Sequence, residues 1–264
     1  MDARDYFASR RVFTAEEFGQ VLGLGRRSRD SLLGYYRQRG RILPVRRGLY
    51  WVVPAGEHPE TCAIDPFLVA GLMTDDAVLG YHSALEFHGR AYSIFTELYY
   101  LSARAARAAA FRGWAFQPVR APKALLAVGK ADFEVEVLEQ SGQDVRVTSL
   151  ERSMVDVLDR PDLSGGWEET WRSLELVEFF DLDRVVEYAL LLGNATTVAK
   201  VGWFLESHRE SLMVEERHLA PLREHRPRQP RYLSRQGAGS VRMIGGWNLI
   251  VPEVLAEQRW GEVT

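Results

Sequence analysis

With 264 residues, 46% of them hydrophobic, and a formal net charge of −3, the chain has the composition of an ordinary globular protein with enough core for two domains. No stretch approaches the roughly 20 uninterrupted apolar residues of a membrane helix, and a single cysteine, Cys62, excludes an intramolecular disulfide framework or a cysteine-cluster zinc site. Met1-Asp2-Ala3-Arg4-Asp5 lacks the apolar core of a secretory signal, so the expected compartment is the cytoplasm.

In chain order, Asp2 to about Arg10 reads as a first helix that packs Tyr6 and Phe7 inward. A second helix opens at Thr14, which stands at capping-box spacing from Glu17, while Phe13 and Phe18 stand at hydrophobic-staple spacing. Gly23-Leu24-Gly25 supplies a tight turn, and a third helix runs from about Arg26 to Arg39 with Leu32, Leu33 and Tyr36 as its buried stripe. That stripe leaves Arg26, Arg27, Asp30, Ser31 and Arg37 on the solvent side. Residues 41–45 and 49–53 then read as two strands joined across Arg46-Arg47-Gly48, with Leu49, Trp51 and Val53 predicted to face the helices. The pattern is that of a winged helix-turn-helix, in which first-turn arginines of the recognition helix meet base edges and a basic wing tip reaches phosphate. Charge supports it. Through residue 50 the chain carries eleven arginines against five carboxylates, +6, so the remainder carries −9.

Residues 54–60, rich in proline, glycine and charge, read as a linker, giving a division into 1–53, 54–60 and 61–264. Beyond it, Asp65-Pro66 opens a short helix, residues 77–81 a strand, and residues 82–89 a helix carrying His82 and His88 at a spacing unlike a metal-binding pair. Residues 97–101, 114–119, 132–138 and 144–147 read as strands, the last two joined at Ser141-Gly142-Gln143. Along Asp132-Phe133-Glu134-Val135-Glu136 the acids alternate, which places three carboxylates on one solvated face. Arg104, Arg107, Arg112 and Lys123 form a diffuse basic region around a run of alanines, either a second nucleic-acid face or, the preferred reading, a solvated helix. Thr148 to Glu151 is a second capping box, and from there helices predominate, at 167–180, 182–192, 195–206 and 214–224, with Trp167, Trp171 and Trp203 as packing residues. The basic segment that follows, with Arg223, Arg226, Arg228, Arg231 and Arg235, is a candidate second basic surface, an extended loop that could clamp nucleic acid or an acidic partner or else is simply solvated, and a final strand follows at 246–252. The fold class expected is α+β: an N-terminal winged helix-turn-helix plus a mixed α/β domain with a helical C-terminal half.

The DNA-binding pattern ending in Arg46-Arg47-Gly48-Leu49-Tyr50, followed by Asp65-Pro66-Phe67, His82-Ser83-Ala84-Leu85-Glu86-Phe87-His88-Gly89, Thr148-Ser149-Leu150-Glu151-Arg152, Val155-Asp156 and Asp159-Arg160-Pro161, resembles the abortive-infection AbiEi family of antitoxins over nearly the whole chain. The resemblance implies a repressor of its own operon that binds double-stranded operator repeats, with a separate domain needed for antitoxin activity. It also implies a companion nucleotidyltransferase toxin of the AbiEii type, opposed without a required stable complex. The family's recognition-helix and wing positions fall on Arg26, Arg27, Ser31, Arg46 and Arg47, and Gly25 departs from the Ser or Thr usual among relatives. Arg37 joins these as a DNA-binding candidate. A monomer in solution that is cooperative on DNA, with no membrane, catalytic residue, metal or cofactor, completes the expectation. Two other functions fit parts of the sequence: a stand-alone transcription factor whose second domain senses a ligand or dimerises, and a metal-dependent DNA-processing enzyme using Asp132, Glu134 and Glu136.

Overall fold

A computed structural model of the chain describes residues 2–233 and 240–257, and they form a mixed α+β fold. The described residues divide into two compact units, one drawn from 2–79, 95–120 and 135–147 and the other from 80–94, 121–134, 148–233 and 240–257. No helix among them is long and apolar enough to cross a membrane.

The first unit opens with α1 (Ala3–Ser9), capped by Asp2, whose carboxylate accepts from the amides of Arg4 and Asp5 at 2.7 and 2.9 Å. β1 (Val12–Thr14) leads into α2 (Ala15–Val21), where Thr14 Oγ1 accepts from the Glu17 amide at 3.1 Å. Phe13 and Phe18 are both fully buried with ring centroids 5.5 Å apart, so the staple fixes how the chain enters α2. After a turn that uses Gly23 at φ +65°, α3 (Arg26–Gln38) follows. β2 (Ile42–Arg46) and β3 (Leu49–Val52) form a hairpin with Gly48 at φ +80°. The three strands pair antiparallel in the order β1-β3-β2.

One face of this small sheet closes the helical core. Tyr6, Phe7, Phe13, Phe18, Leu33, Ile42 and Val52 are packed together there, with Tyr50 against them. The phase of β3 is therefore opposite to the one read from sequence: Tyr50 and Val52 face the helices, while Leu49 and Trp51 point to the other side and are buried as well. The strand is covered on both faces because the rest of the unit lies against it. Gln143 accepts from the Val12 amide at 3.0 Å and donates to the Val12 carbonyl at 2.9 Å.

Gln143 belongs to a six-stranded mixed sheet reached through α4 (Pro66–Gly71), which Asp65 caps. Its strands are β4 (Val78–Leu79), β5 (Glu97–Ser102), β6 (Ala109–Phe111), β7 (Trp114–Arg120), β8 (Val135–Gln140) and β9 (Gln143–Thr148), in the order β6-β7-β5-β4-β9-β8. Two sequence readings change here. The alanine-rich stretch expected as a helix supplies β6 instead, paired antiparallel with β7, so the sheet overrides alanine's helix preference. Residues 54–60, expected as a linker between domains, run inside the unit: Arg112 donates to the carbonyls of Pro59 and Glu60, and Pro59 packs on Gly40.

The second unit contains α5 (His82–Phe87), α6 (Lys123–Ala127), α7 (Leu150–Asp159), α8 (Trp167–Glu175), α9 (Leu182–Leu191), α10 (Ala195–Ser207) and α11 (Glu216–Glu224). A small sheet of β10 (Arg231–Tyr232), β11 (Val241–Ile244) and β12 (Leu249–Pro252), ordered β10-β12-β11, precedes α12 (Glu253–Ala256). α7 is its centre, with Met154, Val155, Val157 and Leu158 fully buried. The helix is capped by Ser149, which accepts from the Arg152 amide at 3.2 Å, rather than by Thr148, whose hydroxyl is bonded to Ser153 at 2.7 Å. Trp171 packs on Trp203 and Phe204 at 4.9 Å between centroids, and Trp247 lies on Gly202, where an added Cβ would overlap its ring.

Three buried polar groups organise α7. The Arg152 guanidinium donates to the carbonyls of Ala131 and Phe133 at 3.0 and 2.6 Å and meets the Asp156 carboxylate at 3.4 Å. Tyr188 on α9 donates to the other Asp156 oxygen at 2.6 Å. Burial pushes the Asp156 carboxyl up from 3.8 to about 6, against the pull of Arg152 and Tyr188. A folded value above the unfolded one means that protonation favours the folded state. This contribution is fully present below pH about 4 and is lost as pH rises through about 6. Asp156→Asn is therefore expected to gain melting temperature relative to the wild type as pH climbs from 4 to 7. A difference between the two proteins that does not change with pH would contradict this.

Candidate nucleic-acid interface

The outward side of α3 follows from its buried one. With Leu33 buried and Leu32 and Tyr36 half-buried, the helix leaves Arg26, Arg27, Asp30, Ser31 and Arg37 exposed. Arg27 and Ser31, one turn apart, share the outermost face, and Arg26 and Arg37, three turns apart, share its flank. Gly34 lies on the same side, and a Cβ there would meet nothing within 4 Å, so the middle of the helix presents bare backbone outward.

Gly25 is the N-cap of α3 and offers no side chain to the first amides, which leaves the positive end of the helix open to an anion. Beyond that end lies the β2–β3 hairpin. Arg26, Arg29, Arg46 and Arg47 line a cleft of about 480 Å³ there, together with Gly48, the start of α2, and the carboxylates of Glu16 and Asp75. The charges are partly committed. Arg29, only 18% exposed in its side chain, meets Asp30 at 2.7 Å, Arg26 stands 4.0 Å from the same carboxylate, and Asp75 is held by Arg104 at 2.6 Å. Arg46 donates to the carbonyl of Met73, so of the two arginines at the hairpin tip it is the one drawn toward the body of its unit. Arg47 is exposed and takes part in no ion pair among the described residues. Arg29 was missed by the sequence reading because its place beside the buried stripe hides that its guanidinium reaches the cleft.

The candidate second basic surface separates into parts. Arg223 is not free: it pairs with Glu206 at 2.6 Å and with Glu216, and it covers the Trp247 ring at 5.5 Å, so the segment's charge is locally neutralised at this point. Arg226, Arg228 and Arg231 line a cleft of about 1110 Å³ with residues 194–196 and Glu224. Arg235 lies outside the described residues.

Asp132, Glu134 and Glu136 do not share a strand face. The chain turns at 131–134, with Glu134 at φ +49° and its carboxylate 3.6 Å from Arg184, and only Glu136 stands on β8. His82 and His88 are likewise apart. His82 is fully buried beside Glu169 at 3.2 Å, and His88 bonds the Thr148 carbonyl at 2.8 Å. Among the described residues no group of three or more His, Cys, Asp or Glu is placed to hold a metal ion.

No protein-family model and no curated protein sequence matches the chain. A solved structure, that of the RV2827C protein from Mycobacterium tuberculosis, is similar over 95% of this chain and 89% of its own, at 22% identity and a TM-score of 0.63, a likeness of fold.

Proposed function

We propose that residues 1–53 act as a winged helix-turn-helix that binds double-stranded DNA, with α3 as the recognition helix and the β2–β3 hairpin as the wing. One observation carries this reading: the exposed arginine side of α3 opens, through an uncapped helix N-terminus, onto a cleft that also takes Arg46 and Arg47. Guanidinium forks in the first turn of such a helix suit guanine edges, and a basic hairpin tip suits phosphate. Together with the motif resemblance to AbiEi antitoxins, it supports reading the chain as a repressor of its own operon that opposes a nucleotidyltransferase toxin.

A salt-titrated mobility shift of the full chain on its own upstream region tests the DNA-binding step. Arg47→Ala should weaken operator and random duplex alike and lower the slope of log K against log salt by about 0.9, the value of one phosphate contact. Arg46→Ala should change that slope less, because its guanidinium already serves the Met73 carbonyl. An unchanged slope in the Arg47 variant would remove the wing from the interface. Co-expression of a candidate nucleotidyltransferase toxin separates the antitoxin from a stand-alone regulator: growth is rescued only in the first case.

A further inference from the structure

We propose that the first unit carries a second anion-binding cleft, at the opposite end of α3 from the wing tip, that takes the phosphodiester backbone of nucleic acid. The cleft has a volume of about 700 Å³ and is lined by Arg4, Arg11, Arg39 and Arg41 with Tyr35 and Tyr36. Arg4 comes from α1, Arg11 from the turn into β1, and Arg39 and Arg41 from the segment between α3 and β2, so three separate parts of the chain deliver guanidinium groups to one place.

The four differ from their neighbours. Arg10, Arg26 and Arg29, in the same stretch of sequence, each meet a carboxylate within 4.0 Å. Among the described residues no carboxylate lines this cleft, and of its four guanidinium groups only that of Arg4 feels a carboxylate, Asp2, with which it forms no close ion pair. Four like charges drawn together with one exposed carboxylate acting on a single member of the group still repel one another, which calls for an anion to complete the cleft. The negative end of the α3 dipole accounts for Arg39 and Arg41 alone. Arg4 and Arg11, carried on other elements, are not explained by it.

Tyrosine sets the geometry. The Arg39 guanidinium lies over the Tyr35 ring at 3.6 Å, a stack that holds its plane and leaves its N–H edge for acceptors, and Tyr36 is wedged edge-on between Tyr35 and Phe7. Planar guanidinium forks beside aromatic rings suit phosphate oxygens with a base alongside. Position favours nucleic acid over an acidic peptide. The 13-residue α3 spans about 18 Å, and the two basic clefts sit at its two ends, so a strand crossing the wing-tip cleft is continued within reach of this one. The phosphodiester has two sources, a flanking stretch of the same duplex or a separate single strand, and only the first rests on the reading of α3 given above.

Arg4→Gln/Arg41→Gln removes two exposed charges from the full-length protein, and fluorescence anisotropy across a salt series reads the result on a 30-bp duplex and a 12-nucleotide oligothymidylate. A slope lower by about 1.8 on the duplex assigns the cleft to flanking DNA, and one lower by about 1.4 on the oligothymidylate assigns it to a single strand. Slopes and affinities unchanged on both probes overturn the proposal. Should that variant lose its melting transition, Arg39→Gln, whose backbone and neighbours are left intact, carries the same test with half the effect. Arg27→Gln runs beside them: a loss there with none in the cleft variant refutes the cleft and spares the recognition helix, and the converse does the reverse.

Discussion

Arg27→Ala should cost about 1–3 kcal/mol on a matched operator and markedly less on random duplex of the same length. Arg27 stands on the outermost line of α3, exposed and without an ion pair among the described residues, so its loss leaves the fold untouched and removes only what it offers outward. Arg26→Ala should show a smaller change, since Asp30 already draws on that guanidinium at 4.0 Å. Mobility shifts at one fixed salt concentration, on operator and random DNA in parallel, measure both. Equal losses on the two DNAs would mean that Arg27 meets phosphate, and base readout by α3 would have to be abandoned.

The exposed arginines of α3 were legible in the sequence because helical period and a clear apolar stripe determine which side faces out. The starts of α2 and α4 were legible for a similar reason: Thr14 and Asp65 accept from the amides that follow them, a purely local event. What the period cannot supply is direction where both sides are covered. Leu49-Tyr50-Trp51-Val52-Val53 is apolar throughout, so alternation left two phases open, and tertiary packing chose the one that sends Tyr50 and Val52 to the helices. Long-range partners are equally invisible. Nothing near Arg46 announces the Met73 carbonyl, and nothing near Arg223 announces Glu206. The alternating acids from Asp132 broke down at a single backbone position, Glu134 at φ +49°, which ends the strand pattern before it begins.

Stability should depend most steeply on Arg152. Replacing it with methionine keeps much of the volume but leaves the Asp156 carboxylate without its cation and the carbonyls of Ala131 and Phe133 without a donor, all within a site where Arg152 is 1% exposed. Breaking a buried pair from one side destabilises by about 3–5 kcal/mol. Urea unfolding of the full chain measures it, and a change below about 1 kcal/mol would show that the network contributes little. Adding Asp156→Leu to Arg152→Met should recover part of the loss, since the stranded charge is then gone.

The hairpin that carries Arg47 has half-buried Tyr50 and buried Val52 on one side and buried Leu49 and Trp51 on the other. It follows that residues 1–53 are not a detachable cassette. A fragment cut after Val53 would uncover an indole and a leucine along a full strand, and such a surface invites self-association. Recombination that grafts this segment onto a new partner must bring the six-stranded platform with it, although much of that platform lies in residues well beyond it, at 95–120 and 135–147.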